Sequence, residues 1–302
     1  MKLIDLHQVD AFTDTLFGGN PAGVVTNADN LTNDEMEKIA REMNLSETAF
    51  VFAPTSDKAD VMLRYFTSGM VELDFCGHAT IAAVYELARL GMYGLDTKNK
   101  TAKIRVENGA GILDMTVSRN KSNDIRVEFI APAVNMQPYH LQGKSFADQF
   151  GIPSEVVLPD SSILIDTVLN YMYIPIVSLS QLGDLQFDLA KISQNFQADN
   201  IIAFCLYTAE TFDSKANLHT RVTCPLLGLA EDPFTGSTQS GLIHAAKKTG
   251  VVDEAKTVIT TEQGHFMKRP SSVQITHEVV HDVVTVVASA VQVFSTKMEI
   301  QE

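Results

Sequence analysis

Glu72-Leu73-Asp74-Phe75-Cys76-Gly77-His78-Ala79-Thr80-Ile81-Ala82-Ala83 (ELDFCGHATIAA, residues 72–83) is answered later in the same chain by Glu231-Asp232-Pro233-Phe234-Thr235-Gly236-Ser237 (EDPFTGS, 231–237). Glu72, Phe75 and Gly77 recur as Glu231, Phe234 and Gly236, each 159 positions on (72 to 231, 75 to 234, 77 to 236). Both copies run into helical patterns. After Gly77, the residues Ile81, Val84, Tyr85 and Ala88 mark one apolar face and Gly91 supplies a stop; after Gly236, Leu242, Ala245 and Ala246 do likewise and Gly250 stops the helix. The glycine-to-glycine spans, 77 to 91 and 236 to 250, are equally long. A matched signature with matched helix length reads as an internal duplication, so two similar halves facing a shared cleft are expected.

Outward from these segments, period-2 apolar stretches alternate with helical ones, and no low-complexity segment or long polar linker intervenes. The pattern predicts an α+β, or mixed α/β, architecture. Thr32-Asn33-Asp34-Glu35 has the spacing of a capping box, and Met36, Ile39, Ala40 and Met43 follow at helical spacing, predicting a helix over 33–43. Asn44-Leu45-Ser46-Glu47 then leads into the strand pattern Thr48-Ala49-Phe50-Val51-Phe52. Glu47 is thereby placed at a helix-to-strand junction, where a side chain can reach a cleft. With 302 residues at 45% hydrophobic content, the chain can bury a large core and suits one large or two medium domains, of which two is the better fit.

Composition excludes several function classes. The formal net charge of −14 repels phosphate backbones, and no Lys/Arg cluster with interleaved aromatics appears, which argues against nucleic-acid binding. No apolar run reaches the ~18 residues of a membrane span, and the opening MKLIDLHQVDAF alternates like a strand, unlike a signal peptide. A cytoplasmic protein is expected. Cys76, Cys205 and Cys224 are odd in number and widely spread, with no CxxC pair, so neither a disulfide nor a metal framework is expected. An anionic substrate would have to overcome the acidic overall field through local donors, which helix N-termini can supply.

The two helix starts, Gly77-His78 and Gly236-Ser237-Thr238, offer unpaired N–H groups and a favourable dipole to a carboxylate, and glycine admits close approach. Ordinary tight turns, with Ser237 only an N-cap, remain the plain alternative. The ionisable candidates are Glu47, Cys76, His78 and Asp232. Each has an ordinary reading too: a solvated surface glutamate, a small buried thiol, a packing histidine and a turn former before Pro233.

A wider set of segments carries a family resemblance over nearly the whole chain: VDAFTDTLFGGNPAGVV (9–25), NLSETAFV (44–51), ELDFCGHATIAA (72–83), EDPFTGS (231–237) and EQGHFMKRPSS (262–272). In order and spacing these resemble the PhzF-like group of the diaminopimelate-epimerase fold. The resemblance implies two pseudo-symmetric lobes, each a sheet curled around a central helix, covering 1–117 plus 285–302 and 118–284. It implies that the carboxy-terminal strand returns to the first lobe, and that the protein is a homodimer. It further implies a cofactor-independent isomerase of a small carboxylate. Glu47 would be the acid/base, with His78 and Asp232 lining the pocket. Gly77, Gly236, Ser237 and Thr238 would hold the carboxylate, Ser46 and Cys76 would contact substrate, and Asn20, Pro21 and Gly264 would shape nearby loops.

One carboxylate can remove a proton from carbon activated by an adjacent carbonyl or alkene and return it elsewhere on the same molecule. Such help requires a carboxyl desolvated enough to raise its pKa toward neutrality, and Asp232 nearby would push the same way. His78 could donate to the substrate carboxylate or to developing enolate-like charge. The related epimerases use two cysteines, one at each central helix start. Here Cys76 is answered by Thr235, too weak an acid to replace a thiol, so two-thiol racemisation is disfavoured. Ser68, Thr223 and Lys268 depart from the family pattern and leave the substrate open. Three readings follow: a Glu47-dependent isomerase, a racemase or epimerase pairing Glu47 with Cys76 or Asp232, and a non-catalytic binding protein that retains the fold.

Overall fold

The computed structural model describes residues 1–96, 101–120, 122, 124–141, 145–159, 161–227 and 229–301. The chain divides into two units, Met1–Ile130 with Val287–Glu302, and Ala131–Val286. In the first unit the order is β1 (Lys2–Ala11), β2 (Asn20–Val25), α1 (Asn33–Met43), β3 (Glu47–Phe52), β4 (Val61–Thr67), β5 (Glu72–Leu73), α2 (Gly77–Arg89), β6 (Thr101–Asn108), β7 (Gly111–Arg119) and β8 (Ile125–Ile130). The second holds β9 (Met136–Pro138), α3 (Phe146–Phe150), β10 (Leu164–Asp166), β11 (Tyr171–Pro175), α4 (Leu179–Asp184), α5 (Leu189–Asp199), β12 (Ala203–Thr208), β13 (Leu218–Cys224) and β14 (Leu229–Asp232). It continues with α6 (Gln239–Lys248), β15 (Val258–Gln263) and β16 (Ser271–Glu278). β17 (Val283–Ala288) leads back to β18 (Ala290–Ile300), which pairs antiparallel with β1 in the first unit.

Local chemistry sets the first helix. Thr32 accepts from the Glu35 N–H while the Glu35 carboxylate accepts from the Thr32 N–H at 2.7 Å, so the capping box forms as expected. Met36, Ile39 and Ala40 are buried against Ile4, Leu6, Phe50 and Phe66, and Asn44 ends the helix in the left-handed region at φ 51°.

The duplication is written in the strand pairings. β1–β2 is antiparallel, β2–β3 parallel, β3–β4 and β4–β5 antiparallel, β4–β6 parallel and β6–β7 antiparallel. In the second unit β10–β11, β11–β12, β12–β13, β13–β14, β13–β15 and β15–β16 repeat that series in the same order and sense. The first parallel crossover is filled by α1 in one series and by α4 and α5 in the other, and in both a helix follows the short strand. The fold is the expected mixed α/β one, mostly antiparallel with few helices.

α2 is the central helix of its unit, packed against β1, β2, β3, β7, β8 and β18. Its buried surface is wider than the single face expected: Ala79, Thr80, Ile81, Ala82, Ala83, Val84, Leu87 and Ala88 are all buried, and Tyr85 only partly so. Small side chains let strands approach from several sides, which a one-face reading does not capture. Gly91 and Gly250 take φ of +70° and +73° past the ends of α2 and α6, a conformation that glycine adopts without steric cost. The second helix departs from its twin at the other end, because Gly236–Thr238 form a 3-10 turn before α6 begins.

The echoed glutamates have a structural cause that the sequence alone did not disclose. Glu72 receives a bidentate pair from Arg64 (2.6 and 2.8 Å), and Glu231 one from Arg221 (2.9 and 2.7 Å). The copies differ in burial: side-chain exposure is 25% and 43% in the first pair and 9% and 16% in the second. Arg221 also donates to the Leu182 and Leu185 carbonyls at 2.8 and 3.0 Å. Arg64→Ala is therefore expected to cost under about 1 kcal/mol and Arg221→Ala about 3 kcal/mol or more, read by urea denaturation. Equal losses would contradict this use of burial.

α2 also carries a charge into the core. Glu86 is fully buried, and its carboxylate accepts from Arg89 (2.9 and 2.7 Å) and Gln292 (3.1 Å), with His7 Nδ1 at 3.1 Å. Among the described residues no helix is long and apolar enough to cross a membrane.

Candidate active site

Glu47 is the first residue of β3, held in register by Ala22 of β2 on one side and Thr67 of β4 on the other. Cys76, extended at φ −144° and ψ 113°, caps α2 without a side-chain hydrogen bond, and His78 is the helix's second residue. The junction and the helix start meet. His78 Nε2 lies 3.1 Å from Glu47 Oε2 and 3.3 Å from Ser46 Oγ, and its Nδ1 lies 3.5 Å from Cys76 Sγ. The His78 and Glu47 side chains are each 11% exposed.

Electrostatics make this an ion pair. Burial pushes the Glu47 carboxyl upward, but the His78 hydrogen bond and charge, with help from Ser46 and Cys76, outweigh it and hold the group below the ordinary 4.5. Burial works against a charged His78, yet the Glu47 carboxylate beside it, with the Cys76 sulfur as a further hydrogen-bond acceptor, raises it well above 6.5. Cys76 is itself pushed up by burial, and further by Glu47 against the opposing pull of His78. It is therefore a thiol at neutral pH, and Glu47 is the anion that keeps the proton on the imidazole. The expectation of a carboxyl raised toward neutrality is thus corrected, because the adjacent imidazolium outweighs desolvation.

The signs of the two shifts define a pH window. The lowered Glu47 contributes stability above 4.5 that is lost as pH falls below it, whereas the raised His78 contributes stability below 6.5 that is lost as pH rises through its raised value. Urea denaturation of wild type and His78→Gln is expected to differ most between about pH 4.5 and 6.5 and to converge in alkali. A gap that widens with alkali would contradict the pair.

Around the helix start, Tyr65 Oη lies 2.6 Å from Thr80 Oγ1, which donates to the Cys76 carbonyl at 2.7 Å. Tyr65 and Thr80 thus fix the backbone at Cys76, a role that no motif signalled. A Cβ added at Gly77 would meet nothing nearer than Phe75 ring carbons at 3.9 Å, so the turn has open space beside it. Asn20 is buried at the start of β2, opposite Ala11 of β1.

The second unit places its own candidates. Asp232 ends β14 and accepts from the Thr235 hydroxyl at 2.5 Å. Gly236 and Thr238 are buried, and the Thr238 hydroxyl is committed to the Thr235 carbonyl at 2.8 Å. Ser237 Oγ lies 3.2 Å from Tyr171 Oη. Three groups of described residues bring metal-capable atoms within 4.8 Å of one another: Glu47, Cys76 and His78; His219, Glu262 and His265; and His244, His277 and Asp282.

A family model described as phenazine biosynthesis-like protein matches residues 9–296. The chain belongs to the PhzC-PhzF family. Its relatives include an uncharacterized isomerase of Bacillus subtilis, 34% identical over 288 residues (91% of each chain), and one of Clostridium acetobutylicum, 32% identical over 284 residues (91% of this chain and 90% of that one). The solved Bacillus anthracis phenazine biosynthesis protein of the PhzF family superposes with a TM-score of 0.83 at 28% identity, covering 99% of this chain and all of that one. A hydroxyproline epimerase from Agrobacterium vitis shares the fold alone, with a TM-score of 0.61 at 10% identity over 99% of this chain and 91% of that one. PhzC-PhzF membership and relatives named isomerases support an isomerase- or epimerase-like function.

Proposed function

We propose that this PhzC-PhzF protein isomerises a small carboxylate, with Glu47 taking a proton from carbon and returning it to another position of the same molecule. The supporting observation is the 3.1 Å contact between Glu47 Oε2 and His78 Nε2 at an uncapped helix start. Glu47 is ionised, as a base must be, and the carbanion electrons would pass into the adjacent carbonyl or conjugated alkene. The imidazolium and helix dipole favour that developing negative charge. A substrate carboxylate beside His78 competes for its N–H, which weakens the hold on Glu47 and restores its basicity when substrate is present. This answers the difficulty posed by a low resting pKa.

Cys76 carries the second reading, epimerisation. Its thiol, kept protonated by burial, borders the same imidazole and offers a second proton donor. On the strength of the sequence echo, the proposal extends to Asp232 and Ser237. Incubation of candidate carboxylates in heavy water, followed by mass and chiral analysis, tests all of this. Deuterium at a new carbon with a shifted double bond or carbonyl supports isomerisation; inversion at the exchanged carbon supports the epimerase. Absence of exchange across carboxylates that bind would leave a binding protein. Asp232→Asn is expected to slow exchange, and unchanged kinetics would confine the chemistry to the first unit.

A further inference from the structure

α6 carries His244, Lys247 and Lys248 on successive turns, His277 lies near the end of β16, and Asp282 sits at φ 54° in the tight turn into β17. The three metal-capable side chains converge: His244 Nε2 is 2.7 Å and His277 Nε2 2.9 Å from one atom, Asp282 Oδ1. His244 and His277 both line a cavity of about 460 Å³, together with Asn135, Met136, Lys248 and Glu254.

Hydrogen-bond accounting makes this arrangement unusual for a plain polar cluster. His244 Nδ1 lies 2.7 Å from the Ser240 carbonyl, which can only accept, so Nδ1 carries hydrogen. A neutral His244 would then have a bare Nε2 facing a carboxylate oxygen at 2.7 Å, lone pair against lone pair. Either a second proton or a cation must stand there. An imidazole with its Nδ1–H on a backbone carbonyl and its Nε2 turned inward is the arrangement by which proteins orient metal-binding histidines.

The geometry points to a binding site for a divalent transition-metal ion of the zinc class at His244, His277 and Asp282. Two imidazole nitrogens and one carboxylate oxygen form a nitrogen/oxygen set, which such ions accept at about 2.0–2.2 Å in tetrahedral geometry. Donors around a tetrahedral ion stand about 3.4 Å apart, so the carboxylate has to back away by roughly half an ångström. Asp282, with its side chain 63% exposed on a turn, can do so. The fourth position is left for water or a ligand.

Binding displaces protons. The ion replaces the Nε2 proton of His244. At His277, whose Nδ1 lies 2.9 Å from Lys247 Nζ, ligation through Nε2 places the ring proton on Nδ1, and the flexible Lys247 side chain has to turn aside from it.

The test is zinc titration of the chelator-stripped full chain by calorimetry in buffers of different ionisation enthalpy, with cobalt(II) absorption as a second reading. One equivalent of zinc bound with release of protons is expected, together with a cobalt spectrum lacking a thiolate charge-transfer band. Asp282→Asn on the exposed turn and His244→Gln should each weaken binding at least about tenfold and abolish the zinc-dependent rise in Tm. Cys76→Ser should bind as wild type does. No saturable binding in wild type, undiminished binding in both variants, or loss of binding in Cys76→Ser would overturn the assignment. The last outcome would move the ion to the Glu47 cluster.

Discussion

Glu47→Gln is expected to lower carbon-bound deuterium exchange and turnover by about 10²–10⁴-fold, the usual contribution of a positioned acid–base group. The substitution keeps the size of the side chain, and its amide oxygen can still accept from His78, so the register of β3 between β2 and β4 should survive. What disappears is the carboxylate's ability to take and return a proton. Substrate binding should change far less than the rate, since the helix-start donors and His78 remain. The wild-type acid limb belongs below 4.5, where the lowered Glu47 gains its proton, and the alkaline limb above 6.5, where the raised His78 loses its own. Exchange at the wild-type rate in the variant would place the base elsewhere.

The second large effect concerns stability. Glu86→Ala is expected to destabilise the protein by about 3–5 kcal/mol in urea denaturation, because it removes one member of a buried, fully engaged charge network. Glu86 is wholly enclosed on the central helix, and its loss leaves His7 and Gln292 with polar atoms inside the unit. Arg89, whose side chain is 35% exposed, can turn to water, which places the loss toward the lower end of that range. Glu86→Gln preserves the shape and some of the hydrogen bonds and should cost less. A loss under about 1 kcal/mol for the alanine variant would mean that water enters and rescues the orphaned groups.

Much of the fold was legible because it is encoded locally. The capping box at Thr32–Glu35 and the glycines past α2 and α6 act within a few residues and need no tertiary partner. The repeat was legible as three matched residues and as a duplication, but the reason its glutamates recur was not. Glu72 and Glu231 recur because each grips an arginine from the neighbouring strand, and the cross-strand register brings Tyr65 opposite Leu73 and Phe66 opposite Glu72. Sequence distance gives no warning of such contacts. The same holds for Tyr65 and Thr80 behind Cys76, and for His244, which lies far along the chain from His277 and Asp282 and with them matches no ligand-spacing motif.

The sequence by itself determined the residue types, the starts of α1 and α2 and the position of Glu47 at the end of a helix-to-strand junction. From these followed the fold class and the family. Tertiary structure decided the protonation state of the site. A carboxyl group in a dry setting is pushed up, and the same group 3.1 Å from an imidazolium is pulled down. Which of these prevails depends on an interatomic distance between residues 31 positions apart (47 to 78). Short-range rules for caps and strands do not contain that distance, and Coulomb energy, which falls with separation and rises as water is excluded, depends on it directly.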